Sequence, residues 1–326
     1  MPKSFDAIIV GGGHNGLVAA SYLAKAGKSV LLLEANTELG GATASVKAFP
    51  EFDARLSRYS YLVALLPDQI VEELGINFHT RGRDVSSYTP YFHNGSHSGL
   101  RVSTNWDTET EQSFLQLTGG PDEGIAWQNF YSEIAEFARK SAPSMLLPLM
   151  TRSEMRAHIG MDQVWDYMIE RPIGEVIEER FADDLVRGVV LTDALIGTFV
   201  DSHSIQANIC FLYHLIGNGL GQWRVPVGGM GALVAELERI ARSHSVEIML
   251  NTPVTKISST GDGVIISCEN GEEFTCTDLL FAAAPQKLAA LRGRVAPTSL
   301  QGSQFKINML LTRLPQLKSG IDPAIA

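Results

Sequence analysis

Residues 5–43 read FDAIIVGGGHNGLVAASYLAKAGKSVLLLEANTELGGAT, and no other stretch limits the fold so tightly. A short apolar run, DAIIV, has the character of a buried parallel strand and ends on three glycines. From Gly16, the residues Leu17, Ala20, Leu23 and Ala24 form one helical face, and Gly27 stands where a helix stop belongs. SVLLLE is a second buried strand. A strand, a helix and a strand with such short joints are expected to cross over right-handed into a parallel pair.

Gly11, Gly13 and Gly16 spell G-x-G-x-x-G between that strand and that helix. The first glycine permits a tight turn, the second lets backbone N–H groups approach a pyrophosphate, and the third lets helix and strand pack closely. An anion there meets the open N–H groups of a helix N-terminus. Glu34 ends the second strand 18 residues past Gly16, near the ~20-residue offset of an acid that binds a ribose hydroxyl. The bland alternative is a plain turn and a surface glutamate, but three features of the fingerprint agree. An acid at this place disfavours a 2′-phosphate and therefore NADP. The pair Gly40–Gly41, a few residues later, would bring a second piece of bare backbone to the same diphosphate, which favours FAD over NAD.

Composition narrows the partners. With 45% hydrophobic and 19% charged residues the chain is of the globular kind. Its net charge of −10 argues against a nucleic-acid partner. No apolar run reaches the roughly 18–20 residues of a membrane-spanning helix, and MPKSFDAIIV has no h-region of a signal peptide. The expected location is cytoplasmic, with peripheral membrane contact left open. Cys210, Cys268 and Cys276 form neither a disulfide framework nor a CxxC pair. With a two-residue turn at Asn270–Gly271, Cys268 pairs with Glu273 and Cys276 with Ile265, so the two thiols point to opposite faces.

Along the rest of the chain, residues Leu62 to Leu74 suit a helix with Pro67 near its start. Arg81 to Asn105 suits short strands and turns. Helical segments follow in DEGIAWQNFYSEIAEFARK, MDQVWDYMIE and IGEVIEERFADDLVRGVVLTDALIG. After GQWRVPVGG the pattern returns to α/β: the helix MGALVAELERIARSHS, the strand VEIMLN, and a meander ending on a buried strand. His93 and His97 flank an Asn-Gly turn and read as surface residues. His203 and His214 read as one helical face used in packing.

The string IIVGGGHNGLVAASYLAKAGKSVLLLEANTELGGAT resembles the FAD fingerprint of the phytoene dehydrogenase and amine oxidase superfamily. GHNGLVAA is similar to its phytoene-dehydrogenase-like, pyridine nucleotide-disulfide oxidoreductase domain type. FDARLSRYSYLVALLPDQIVEELGI, LTDALIGTFVDSH, GQWRVPVGGMGAL and FKINMLLTRLP extend the likeness over nearly the whole chain. The resemblance implies an α/β architecture: a Rossmann-like FAD-binding domain of parallel sheet plus β-meander, with a helical and mixed substrate domain inserted. The expected boundaries are 1–80 and 225–295 for the first, and 81–224 and 296–326 for the second. It further implies that Gly11, Gly12, Gly13, Asn15 and Gly16 hold the pyrophosphate, and that Glu34 and Ala35 meet the adenosine ribose. Gly40, Gly41 and Ala42 would follow the diphosphate and ribityl chain, and the backbone of Val254 would meet adenine.

Three departures are visible. Amine oxidases of this fold commonly carry arginine after the glycine pair, whereas Ala42 favours the desaturase-like branch. The absence of CxxC removes thiol–disulfide exchange. The chain stops at KSGIDPAIA, without the glycine-rich segment that family members place over the flavin, and so looks C-terminally truncated.

The implied chemistry is hydride removal to FAD from a C–C or C–N bond of a lipophilic small molecule, which requires neither a metal nor a protein nucleophile. The electron acceptor (oxygen, quinone or NAD(P)) stays open, as does a mitochondrial matrix location if the source is eukaryotic. The rival is a catalytically incomplete homologue with a regulatory or interaction role. No catalytic residue stands out. Ser57, Tyr59, Ser60 and Tyr61, and separately Trp223 and Arg224, are candidates for lining the reactive site, with plain packing as the alternative for both. The apolar stretches SMLLPLM and VVLTDALIGTFV suit either a pocket for a lipophilic substrate or ordinary core.

Overall fold

The computed structural model describes residues 2–217, 223–261, 263–295 and 302–324. In chain order, β1 (Lys3–Val10), α1 (His14–Lys25), β2 (Val30–Leu33), β3 (Ser45–Val46), β4 (Leu56–Ser57), α2 (Asp68–Leu74) and β5 (Thr80–Arg81) come first. Next come β6 (Val85–His93), β7 (Ser96–Ser103), α3 (Thr108–Thr118), α4 (Asp122–Ser141), α5 (Arg152–Ile159), α6 (Asp162–Trp165), α7 (Ile173–Arg180), α8 (Asp184–Leu195) and α9 (Gln206–Leu215). The chain then returns through β8 (Val225–Pro226), α10 (Met230–Ser243), β9 (Glu247–Met249), β10 (Val254–Thr260), β11 (Gly263–Cys268), β12 (Glu273–Phe281) and α11 (Pro285–Leu291). Two compact units result: Met1–Val63, Asp68–Arg81 and Val225–Leu300 form one, and Ala64–Pro67, Gly82–Arg224 and Gln301–Ala326 the other.

The first unit is built on a six-stranded sheet in the order β10-β11-β12-β1-β2-β9. β12, β1, β2 and β9 pair in parallel, and β10 and β11 extend the sheet antiparallel. Ala7, Ile8 and Ile9 of β1 and all four residues of β2 are buried, as central parallel strands covered on both faces require. α1 packs Gly16, Leu17 and Ala20 inward and stops at Gly27, whose φ of +83° only glycine adopts cheaply. α10 buries Met230, Leu233, Val234, Leu237 and Ile240, a helical apolar stripe that packs beside α1.

The β11–β12 hairpin differs from the expected register. Ser267 pairs with Glu273 and Val264 with Cys276, while the Cys268 N–H donates to the Glu272 carbonyl at 2.9 Å. The connection is therefore a three-residue loop, Glu269–Asn270–Gly271, with Gly271 left-handed at φ +85°. A slip of one residue reverses the face of every side chain on a strand. Cys268 and Cys276 accordingly share one buried face with Ile266 and Phe274 rather than opposing it. They stand roughly 13 Å apart along the strands, unbridged, and burial pushes both thiols up.

In the second unit, β6 and β7 form a hairpin turning at Asn94–Gly95, both at positive φ, with His93 opposite Ser96. This is the expected two-residue turn, and it leaves His93 and His97 exposed. The helices close around an aromatic core in which the Phe130 ring meets Phe181 edge-on at 5.5 Å and Phe211 at 6.1 Å.

Three helical expectations change. α2 begins after Pro67, because proline pushes the residue before it out of the helical region. The long segment after Ile173 is two helices: the Asp183 carboxylate caps α8, accepting from the N–H groups of Leu185 (2.9 Å) and Val186 (3.1 Å). His203 precedes α9 in an exposed turn, whereas His214 lies within it, so the two do not share a helix face. Of the two apolar stretches, α8 buries Val186, Val190 and Ala194, while Met145, Leu146, Leu147 and Leu149 are exposed. Among the described residues no helix is long and apolar enough to cross a membrane.

Candidate functional site

The glycines between β1 and α1 divide by what surrounds them. A Cβ on Gly16 would sit 2.0 Å from the Gly11 carbonyl oxygen, and one on Gly11 would lie 3.1 Å from the backbone of Ala282. These two glycines let the helix, the turn and the end of β12 close on one another. Gly13 is different. Its φ is −73°, and a Cβ there would find only the Gly40 oxygen at 3.9 Å and the Gly41 Cα at 4.0 Å. No protein atom needs that space. Gly13 also precedes α1 without offering it a side-chain cap, so the helix opens onto bare backbone.

The second glycine pair comes back to the first. Gly40 and Gly13 form an isolated parallel bridge, and the Gly40 N–H donates to the Gly12 carbonyl at 2.8 Å. Gly40 and Gly41 both adopt positive φ, +118° and +53°. Ala42 continues the strip, accepting from the Ser60 N–H at 3.0 Å.

Glu34, only 6% exposed, closes the other side. One carboxylate oxygen accepts from the Gly12 N–H at 2.7 Å; the other accepts from the Asn36 N–H (2.9 Å) and side-chain amide (2.6 Å). A carboxylate offers about four acceptor positions, so three donors leave capacity for a further hydroxyl. The Glu34 carbonyl accepts from Thr252 N–H at 2.9 Å, which holds the approach to β10 against this edge, with Val254 two residues on, as the first residue of the strand. Asn15 and Ala35 are exposed beside the turn. His14, the first residue of α1, is held below its usual range by burial, so its ring is mostly neutral at neutral pH.

Several participants carry no sequence signal of their own. Ala282 backs Gly11, and Leu39 fills the space over Gly12. Ser45 accepts from the Gly231 N–H at 2.9 Å and ties the start of α10 to the segment after the glycine pair. The one available hint was the string GGMG, since a Cβ on Gly231 would meet the Ser45 Cβ at 2.8 Å.

Of the residues expected to line a reactive site, Ser57 pairs with Ser45 in the first unit, and Ser60 bonds Ala42. Tyr59 and Tyr61 there are 60% and 50% exposed. Trp223 and Arg224 belong to the second unit and line a cavity of about 710 Å³ that lies wholly within it, between the β6–β7 hairpin and α4, α8 and α9.

A mainly parallel sheet whose strand–helix turn leaves an open backbone cradle, rimmed by a buried acid, defines the Rossmann-like class of dinucleotide-binding folds. The chain belongs within it to the flavin containing amine oxidoreductase family, whose model matches residues 16–310. It is 39% identical over 329 residues to an uncharacterised protein of Mycobacterium tuberculosis, covering 97% of this chain and 61% of that one. It is 26% identical over 369 residues to pyridine nucleotide-disulfide oxidoreductase domain-containing protein 2 of Mus musculus, covering 98% and 62%. The chain thus spans about three-fifths of the length of these relatives. Wild-type putrescine oxidase bound to putrescine shares the fold, with a TM-score of 0.58 at 18% identity over 89% of this chain and 60% of that structure.

Proposed function

We propose that this chain carries the FAD-binding and substrate-binding parts of an oxidoreductase that moves a hydride from a C–C or C–N bond of a lipophilic small molecule to flavin. The observation that carries the reading is the open space at Gly13, flanked by Gly40–Gly41 and by Glu34. A pyrophosphate suits such a cradle because backbone N–H groups can approach it without a side chain between. In this reading Gly11, Gly12, Gly13, Asn15 and Gly16 surround the pyrophosphate, and Glu34 with Ala35 takes the adenosine ribose. Gly40, Gly41 and Ala42 follow the diphosphate and ribityl chain, and Val254 borders the adenine. FAD, when bound, supplies the hydride acceptor. The protein's task is to hold both molecules and exclude water.

The substrate belongs, on this proposal, in the second unit. Its cavity has apolar walls at Ile134, Val189, Ile196 and Leu215 and an aromatic side at Trp127 and Tyr131. Domain roles follow: 1–80 with 225–295 for the cofactor, 81–224 with 296–326 for the substrate. The reading is tested by the visible spectrum of the purified chain, before and after adding FAD and then dithionite under anaerobic conditions. Flavin bands that bleach on reduction are expected. A protein that stays colourless after FAD is added and desalted away refutes catalysis by this length of chain and favours the interaction role.

A further inference from the structure

The strip Gly40–Ser45, which follows the first glycine turn, is held from two directions, both within the first unit. One is backbone. The Gly40 N–H donates to the Gly12 carbonyl at 2.8 Å, the Ser60 N–H to Ala42 at 3.0 Å and the Arg58 N–H to Ala44 at 2.8 Å, while Ser45 pairs with Ser57. Inside the strip, the Thr43 hydroxyl and N–H both donate to the Gly40 carbonyl, at 2.6 and 2.9 Å. The other direction is a side chain: the Ser45 hydroxyl accepts from the Gly231 N–H, in the first turn of α10, at 2.9 Å. That joint has no slack. A Cβ on Gly231 would lie 2.8 Å from the Ser45 Cβ and 2.9 Å from its Oγ, and one on Gly229 would lie 3.5 Å from the same oxygen. Gly228 and Gly229 enter α10 at φ +85° and +75°, so the chain bends there in a way that suits glycine and brings the helix start onto the serine.

We infer that Ser45 is a positioning residue of the cofactor site: through Gly231 it fixes the strip Gly40–Ala44 along the diphosphate and ribityl chain of FAD. The inference rests on the FAD reading of that strip. Ser45 is only 5% exposed, and alanine would fill the same place without the oxygen. A hydroxyl costs free energy to bury unless it is hydrogen-bonded, so what the serine contributes here is the bond. Its partner is a firm one, because α10 buries Met230, Leu233, Leu237 and Ile240 and packs beside α1. Without the bond, the Gly231 N–H loses its acceptor and the strip loses its tie to α10. Gly40 and Gly41, both at positive φ, then have other backbone states open to them. Part of the binding free energy must go into ordering them again.

The test compares the 326-residue chain with two variants, Ser45→Ala and, as a structural control, Ser21→Ala. Ser21 is fully buried on α1 and its hydroxyl donates to the Leu17 carbonyl at 2.7 Å, so its loss also removes one buried hydrogen bond from the same unit. Without FAD, both variants should melt a few degrees below the wild type. Ser45→Ala should bind FAD about three- to tenfold more weakly, the scale of one neutral hydrogen bond. At saturating FAD, the circular dichroism induced in its flavin bands should differ from that of the wild type. Ser21→Ala should keep the affinity and the dichroism of the wild type. Wild-type affinity or wild-type dichroism in Ser45→Ala, or equal losses of affinity in the two variants, would overturn the inference and leave the cofactor reading standing. A wild-type chain that binds no FAD refutes both.

Discussion

Gly13→Ala should abolish tight FAD binding and leave the protein folded. The methyl group enters space that no protein atom occupies, with its nearest neighbours at 3.9 and 4.0 Å, and the backbone at φ −73° accepts any residue. The stability change should stay within about 0.5 kcal/mol. The ligand should feel the substitution far more, because a side chain now stands between the pyrophosphate and the N–H groups at the start of α1. Loss of two charge-assisted hydrogen bonds corresponds to at least about a hundredfold in affinity. Gly16→Ala serves as the contrast: its Cβ would lie 2.0 Å from the Gly11 oxygen, and overpacking of that kind costs about 3 kcal/mol or more. Thermal melting and flavin titration on both variants separate a binding glycine from a packing glycine. Wild-type FAD affinity in Gly13→Ala would contradict the assignment.

Glu34→Gln should cost both stability and affinity. All three donors around this carboxylate are N–H groups, from Gly12 and twice from Asn36. An amide must turn its own NH₂ toward at least one of them, leaving buried donors facing each other at a cost of about 1–3 kcal/mol. For a domain of this size that lowers the melting temperature by a few to about ten degrees. The variant also removes charge from the acceptor assigned to the ribose, so FAD affinity should fall at least about tenfold. Unchanged melting and unchanged affinity together would mean that Glu34 merely ends a strand.

What could be read in advance from the chain was what local backbone demands. G-x-G-x-x-G, the acid ending the second strand and the Asn94–Gly95 turn each need particular residues at fixed short spacing, and each lies where that spacing puts it. What could not be read depends on residues distant in sequence. Nothing in FAAAP marks Ala282 as the surface against which Gly11 closes, and nothing near Ser45 announces Gly231. The register of the Cys268–Cys276 hairpin is not legible for a local reason: Asn-Gly suits a three-residue loop as well as a two-residue one, and one residue inverts a strand.

The most direct measurement is a side-by-side titration of the purified chain with FAD and with FMN, followed by flavin fluorescence. Both flavins share the redox ring, but only FAD has the diphosphate and adenosine that the Gly11–Gly13 turn, Gly40–Gly41 and Glu34 are assigned to hold. The account predicts that FAD binds at least about a hundredfold more tightly than FMN. Equal affinity, or no binding of either, would contradict it.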